Sequence, residues 1–269
     1  MTTRDVLHAS PTSSPAAPAD LLGLCHALGH PDYAIIGDGN VSALSEDASS
    51  FWVKASGCSL ATMTLGDLVR VDMAAALKLL CATGLSDEQV REALVAAKML
   101  HSGAPSASSP LPSIETVMHA ALLDLPGVRY VGHTHPTAIN VLACSDRFEE
   151  AFRGRIFPEE VVICGPESLL VPYADPGLPL GQEIQRRARA FVDQHGDFPR
   201  AIYLKNHGFI AVGATAKEVL NITQTATKAA KIRAGALALG GLSLLGDADV
   251  RRIHARPDVK YRQRLMRGP

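Results

Sequence analysis

The segment VRYVGHTH, residues 128–135, sets the organisation of the chain around it. Its β-branched and aromatic residues predict a strand. The preceding segment IETVMHAALLDL, residues 114–125, has a helical pattern that starts after Ser113 and is closed by Pro126 and Gly127. A helix that leads directly into a strand is typical of a mixed α/β domain.

Helix and strand patterns alternate on both sides of this segment. Further helices are predicted in ADLLGLCHALGH (19–30), LSDEQVREALVAAKMLHSG (85–103), PLGQEIQRRARAFVDQHG (179–196) and AKEVLNITQTATKAAKIRAGALALG (216–240). Strands are predicted in FWVKASG (51–57), as a pair around a Gly-Pro turn in VVICGPESLLVPY (161–173), and as a pair broken by Gly208 in AIYLKNHGFIAVG (201–213). We find no internal repeat, so we expect one domain over residues 20–245, between an N-terminal tail (1–19) and a basic C-terminal tail or helix (246–269).

The composition excludes several classes of protein. Hydrophobic residues make up 47% of the 269 residues, and Lys+Arg total 26 against Asp+Glu 27, a formal net charge of −1. That balance leaves no excess of positive charge that would attract nucleic acid or an anionic membrane. The five cysteines form no CxxC pair, and the N-terminus lacks the apolar run of a secretory signal. We therefore expect a cytoplasmic globular protein.

The strand segment carries a possible metal site. His133 and His135 are two residues apart, so both imidazoles point to one face of a strand and can converge on a metal at roughly 2.0–2.1 Å. His207, in LKNHGFIAVG, stands directly before a glycine at the end of another predicted strand. Three neutral histidines with one open position would make a catalytic zinc site. The spacing alone equally allows an exposed His pair without a ligand and a His207 that is only a turn residue.

Glu115 is the second candidate for chemistry. It lies in the first turn of the helix that leads to the histidine strand, where the helix dipole favours a carboxylate. The alternative is that it only complements the dipole. His119, four residues on, shares its helix face, and we expect it to pack or hydrogen-bond behind the site. Glycine turns that suit anions occur at 37–40 and 54–57, but GDGN does not match a dinucleotide-binding fingerprint.

Six segments taken together resemble the class II aldolase/adducin family: GDGNVS, VKASGCSLATM, PSIETVMHA, GHTHP, VPYADPG and LKNHGFIAVG. The match runs from about Asp20 to about Leu239 and is closest to the aldolase half of bifunctional rhamnulose-phosphate aldolase/alcohol dehydrogenases. This resemblance implies a single three-layer αβα domain with a central mixed, largely antiparallel sheet. It also implies a homotetramer with active sites at subunit interfaces.

The resemblance assigns roles to the candidate residues. His133, His135 and His207 would be the zinc ligands, at a site that also accepts Mn²⁺ or Co²⁺. Glu115 would be the acid/base residue on the open side of the metal. The substrate or its phosphate would be held by Asn40, Lys54, Ser56, Gly57 and Ser113.

The resemblance bears on two further positions. Glu159 would be a second catalytic carboxylate that reaches the site of a neighbouring subunit, with Glu160 as the competing assignment. Ile114 stands where sugar-phosphate aldolases often have a second serine. Because isoleucine cannot donate a hydrogen bond to a phosphate oxygen, a substrate without phosphate is an open alternative.

The implied function is reversible aldol cleavage of a small ketose, ketose phosphate or hydroxy-keto acid through a zinc enediolate. Decarboxylation of a 3-keto sugar acid or its phosphate is the first alternative, and dehydration is another. Epimerases tend to have Asp where this chain has Glu115, so epimerisation ranks lower. The alternative of another class is a non-catalytic adducin-like assembly module, against which the complete set of histidines and Glu115 counts. The expected partner is a small molecule, not nucleic acid or membrane.

Overall fold

The computed structural model describes residues 19–99, 110–259 and 261. A seven-stranded sheet forms its centre, in the order β3-β2-β1-β4-β7-β6-β5. Only the β5–β6 pair is parallel among the described strands, which confirms the expected mixed, largely antiparallel sheet. The strands are β1 Asn40–Leu44, β2 Ser50–Lys54, β3 Leu68–Asp72, β4 Tyr130–Thr134, β5 Leu169–Val171, β6 Ala201–Leu204 and β7 Gly208–Gly213.

Helices cover both faces of the sheet. They are α1 Ala19–Leu28, α2 Met73–Leu80, α3 Asp87–Ala96, α4 Thr116–Leu123, α5 Thr137–Ala143, α6 Phe148–Phe152, α7 Pro158–Cys164, α8 Leu178–His195, α9 Ala216–Ala238 and α10 Asp247–Ala255. One buried layer lies between the sheet and α1, α5, α6 and α9. The other lies between the sheet and α2, α4 and α8. This is the expected three-layer αβα domain.

The alternation of side chains along β7 shows how one strand serves both layers. Phe209 and Ala211 face the layer of α9, while Ile210 and Val212 face the layer of α4 and α8. All four side chains are fully buried. A strand buried on both faces is apolar at every position, as the run FIAV is. The helices packed on the two sides of the sheet therefore exclude water from both faces of β7.

The prediction for residues 161–173 is wrong in its first half. Residues 161–164 belong to α7, and only Leu169–Val171 forms a strand. The start of α7 carries Pro158 at its first position and two glutamates in its first turn, which are helix-start signals that outweigh the β-branched run. Its buried Val161 and Cys164 lie three residues apart, on one helical face.

Two other details differ from the sequence prediction. The break between β6 and β7 is a turn that contains His207, and Gly208 begins β7. The strands β1 and β3 and the helices α2, α5 and α6 were not predicted. The predicted N-terminal tail lies outside the described residues except for Ala19, while α10 occupies part of the predicted C-terminal segment. None of the described helices is long and apolar enough to cross a bilayer.

Candidate metal centre and active site

Three histidines meet at one end of the sheet. His133 is near the end of β4, His135 follows that strand, and His207 lies in the turn before β7. The antiparallel register pairs His133 with Ile210, so the end of β4 lies beside the beginning of β7. The ring centroids are 4.7, 4.9 and 5.1 Å apart, and one nitrogen of each ring lies within 4.8 Å of the others. The structure thus brings together the three predicted ligands.

Neighbouring groups orient the rings. The Nδ1 of His133 donates to the carbonyl oxygen of Phe209 at 3.1 Å, which leaves its Nε2 lone pair facing the Nε2 of His135 at 3.0 Å. The Nδ1 of His135 lies 3.4 Å from the carboxylate of Asp38. Partners of this kind fix the tautomer and direction of metal-binding imidazoles. The amide of Asn140 donates instead to the backbone carbonyl oxygen of His207, at 3.1 Å, and so holds the turn rather than the ring.

Burial keeps two of the imidazoles neutral. It lowers the pKa of the fully buried His133 well below its usual value. It also lowers the pKa of His135, and the positive charge that His207 can carry adds to this effect. A metal ligand must be a neutral imidazole with a free lone pair. The donor set of three nitrogens therefore fits a divalent transition metal such as zinc.

Gly208 is required by the close approach of the two strands. A Cβ at this position would lie 2.6 Å from Cδ2 of His135 and 2.6 Å from the carbonyl oxygen of Thr134. Ordinary van der Waals contact begins at 3.4 Å, so any larger residue would displace the His135 ring or the end of β4. The glycine after His207 thus has a direct role in the geometry of the cluster.

The carboxylate of Glu115 faces the histidine cluster. It stands at the N-terminus of α4, with Oε1 3.3 Å from Nε2 of His207 and 3.7 Å from Nε2 of His133. Its other oxygen, Oε2, accepts a hydrogen bond from the Asn40 amide at 2.5 Å. Burial raises the pKa of Glu115, but the nearby His133 and His207 outweigh burial and bring it to about 2. An ionised carboxylate is therefore held against the three imidazoles.

The predicted substrate residues take different positions. Asn40 contacts Glu115, and the Ser113 hydroxyl accepts the backbone N–H of Glu115 at 3.3 Å. Lys54 is buried, its ammonium donates to the carbonyl oxygen of Gly37 at 3.1 Å, and burial lowers its pKa. Ser56 and Gly57 are exposed in the turn after β2. The turn is tied to the segment before α4 by the Ser56 N–H, which donates to the carbonyl oxygen of Leu111 at 2.8 Å.

The two glutamates of α7 differ sharply. Glu159 is exposed and makes no hydrogen bond or ion pair with any residue in the described ranges. Glu160 is fully buried, 3.0 Å from the guanidinium of Arg233 and 3.7 Å from that of Arg155. This network gives Glu160 a structural role. Glu159 is the exposed carboxylate of the pair.

Sequence reasoning missed the residues that support the cluster. Asp38 appeared only as part of a glycine turn, and Asn140 carried no signal at all. Asp38 contacts His135 across the junction of β1 with β4, and Asn140 contacts the His207 turn from α5, so both contacts join segments distant in the sequence. An aspartate beside the glycines of the 37–40 turn was the one available hint for Asp38, because such turns bring side chains close to neighbouring strands.

Comparison with known proteins gives two sequence matches. The model of the class II aldolase and adducin N-terminal domain matches residues 19–234. An uncharacterized oxidoreductase of Bacillus subtilis (strain 168), YuxG, is 28% identical over 166 residues, which are 62% of this chain and 21% of that relative. The chain thus spans about a fifth of the length of this relative.

Solved structures share the fold at low sequence identity. The N-terminal class II aldolase domain of a Thermoplasma acidophilum protein has a TM-score of 0.61 at 23% identity, covering 85% of this chain and 99% of that one. YgbL from Escherichia coli, a candidate aldolase/epimerase/decarboxylase, has a TM-score of 0.65 at 20% identity, and the match covers 88% of this chain and 96% of that one. An L-fuculose 1-phosphate aldolase has a TM-score of 0.65 at 19% identity, and the match covers 89% of this chain and 96% of that one. With its fold, its histidine cluster and a family match over residues 19–234, this chain belongs to the class II aldolase and adducin N-terminal domain family.

Proposed function

We propose that this protein is a metal-dependent lyase that breaks or forms a carbon–carbon bond in a small ketose, ketose phosphate or hydroxy-keto acid. The observation that carries the proposal is the ionised carboxylate of Glu115, held 3.3 Å from His207 and 3.7 Å from His133 beside three convergent imidazoles. Such a pairing of a base with a metal site suits proton removal next to a carbonyl group. Membership of the family supports the same class of reaction.

The metal would be zinc, held by His133, His135 and His207. A bound divalent ion supplies Lewis acidity to the carbonyl oxygen of the substrate and to the hydroxyl beside it. Imidazole sites also accept Mn²⁺ and Co²⁺. The neutral state of His133 and the hydrogen bond from its Nδ1 to Phe209 support this assignment, because both leave Nε2 as a ready ligand.

Glu115 would move the proton at the donor carbon. Its Oε2 is restrained by the Asn40 amide, so Oε1 is the oxygen that faces the reacting position. In the cleavage direction Glu115 returns a proton to that carbon, and in the synthetic direction it removes one. Only 13% of this side chain is exposed, which limits contact of the carboxylate with solvent and favours proton transfer to the substrate.

A second carboxylate would handle the proton of the substrate hydroxyl at the bond that breaks. Glu159 supports this role by being exposed and unpaired within the described chain. It would act on the site of a neighbouring subunit in a homotetramer. Ser56, Gly57 and Ser113 would hold the far end of the donor, where Ile114, 38% exposed, offers apolar surface in place of a hydrogen-bond donor.

The test is hydrogen exchange followed by proton NMR on zinc-loaded protein in heavy water. Dihydroxyacetone phosphate, dihydroxyacetone and glycolaldehyde are offered separately as donors. The proposal predicts stereospecific exchange at one donor carbon, and the choice among donors reports whether phosphate is needed. The surface variant Glu167→Gln, 61% exposed at its side chain and remote from the cluster, is the matched control and should exchange at the wild-type rate.

Failure would take one of two forms. No exchange with any donor, despite one bound metal per chain, would refute the aldolase assignment and favour decarboxylation of a 3-keto acid. Absence of metal binding would refute metal-dependent chemistry altogether and favour a non-catalytic assembly module.

A further inference from the structure

A second buried polar pair lies behind the Asn40–Glu115 contact. The hydroxyl of Ser42 and Nδ1 of His119 are 2.6 Å apart, and both side chains are fully buried. Ser42 follows Asn40 by two residues on β1, and His119 follows Glu115 by four residues at α4. Residues at these spacings share a face of a strand and of a helix. One face of β1 therefore meets one face of α4 through two parallel hydrogen-bonded pairs.

The remaining contacts of α4 do not fix its position so narrowly. Every residue of this helix is buried, and apart from Thr116 and His119 all of them are apolar. Apolar contacts are non-directional and tolerate small rotations and shifts, whereas a hydrogen bond weakens steeply with angle and distance. The Ser42–His119 bond is thus a directional tie between the helix that carries Glu115 and the strand that pairs with His133.

The imidazole of His119 makes no other hydrogen bond within the described residues. Its Nε2 has no hydrogen-bond partner among the described residues, and its ring is not part of the histidine cluster. Ser42 is therefore the partner that fixes the orientation of this ring. A ring so held lies one helical turn from Glu115, on the same helix face.

We propose that His119 is a positioning residue for Glu115. Its hydrogen bond to Ser42 holds α4 against β1, so that Oε2 of Glu115 stays on the Asn40 amide and Oε1 stays directed at His133 and His207. This inference rests on the proposed role of Glu115 as the acid/base group. It assigns to Ser42 and His119 a task separate from metal binding.

The test compares three variants by donor exchange and by metal content. Ser42→Ala removes the tie, His119→Gln places an amide near the Nε2 position, and His119→Asn places one near the Nδ1 position. For Ser42→Ala and His119→Gln we expect kcat to fall about 10- to 100-fold, because a misplacement of about 1 Å has effects of that order. KM should change by less than about threefold, since the substrate contacts stay in place. His119→Asn should recover most of the lost rate.

Two further measurements separate positioning from general damage. Metal content should stay at the wild-type level in all three variants, because the ligands are elsewhere. The double variant Ser42→Ala/His119→Gln should be no slower than the slower single variant, since one interaction is removed twice. A folded Ser42→Ala with the wild-type kcat would overturn the inference, as would a His119→Asn that is as slow as His119→Gln, or a loss of rate that tracks a loss of metal.

A distance in a crystal structure tests the positioning role of His119 independently of the proposed enzymatic activity. In a crystal structure of Ser42→Ala, the distance between Nδ2 of Asn40 and Oε2 of Glu115, 2.5 Å in the wild type, should lengthen beyond hydrogen-bonding range. An unchanged distance would overturn the inference. If the wild type shows no exchange with any donor, the proposed function fails, and this distance alone decides whether His119 positions Glu115.

Discussion

Replacing Gly208 by alanine should weaken metal binding through one methyl group. The added Cβ would lie 2.6 Å from Cδ2 of His135 and 2.6 Å from the carbonyl oxygen of Thr134, about 0.8 Å short of the 3.4 Å at which ordinary contact begins. Metal–ligand distances hold within about 0.2 Å, so a His135 ring displaced by this amount ceases to be a good ligand. We expect zinc affinity to fall about 100-fold, the upper end of what disturbed supporting groups produce.

The assay is zinc titration against a competing chelator, with urea unfolding of the metal-free protein alongside. Overpacking should cost Gly208→Ala about 1–3 kcal/mol of unfolding free energy. The matched control is Gly235→Ala in α9, where an added Cβ meets nothing within 4 Å. The control should keep its zinc affinity and gain up to about 1 kcal/mol from helix propensity. Wild-type zinc affinity in Gly208→Ala would refute the role of close packing at this turn.

Three further predictions concern buried groups. Glu160→Gln should lower the unfolding free energy by about 3–5 kcal/mol, because it leaves two buried arginines without their carboxylate; a loss below about 1 kcal/mol in urea unfolding would contradict this. Burial lowers the pKa of His119 to about 4, so the unfolded chain takes up a proton on this residue before the folded chain does. The free energy of unfolding should therefore fall by about 3 kcal/mol as the pH drops from 6.5 to 4. Urea unfolding of His119→Gln should show a pH dependence weaker by that amount, and a dependence equal to that of the wild type would contradict the prediction. Burial raises the pKa of Cys25 to about 12, so iodoacetamide at pH 8 should label the exposed Cys144 and spare Cys25 until the protein unfolds, as peptide mapping would show.

The sequence was sufficient for the features that depend on local spacing. Two histidines two residues apart on a β-branched segment predict a shared strand face, and the structure has both imidazoles in one cluster. The helix before them could be predicted from its proline and glycine boundaries, and α4 follows that pattern. Such signals are readable because each depends on residues within one or two turns of the chain.

Features that depend on pairing between distant segments could not be predicted. The register that sets Asn40 opposite His133 joins residues 93 positions apart, and no local pattern encodes it. The same register turns Asn40, expected on the substrate, toward Glu115. The helix α7 was missed because its valines and isoleucine favour a strand, while burial against α9 favours the helix.

The two glutamates of α7 show the limit most clearly. Glu159 and Glu160 are adjacent and chemically identical, so the sequence left them as competitors. The structure separates them by burial, because a helix turns about 100° per residue and directs one side chain outward and the next inward. Of the two arginines that compensate the inward carboxylate, Arg155 lies in the loop between α6 and α7 and Arg233 lies in α9.

The acid/base role of Glu115 is tested on the Glu115→Gln variant loaded with zinc. Metal content and hydrogen exchange at the donor carbon are determined on the same sample, beside the wild-type protein. We expect one bound metal per chain and no detectable exchange, because the amide keeps the shape of the carboxylate but cannot take a proton. Exchange at the wild-type rate with the metal bound would contradict the assignment of Glu115 as the acid/base residue.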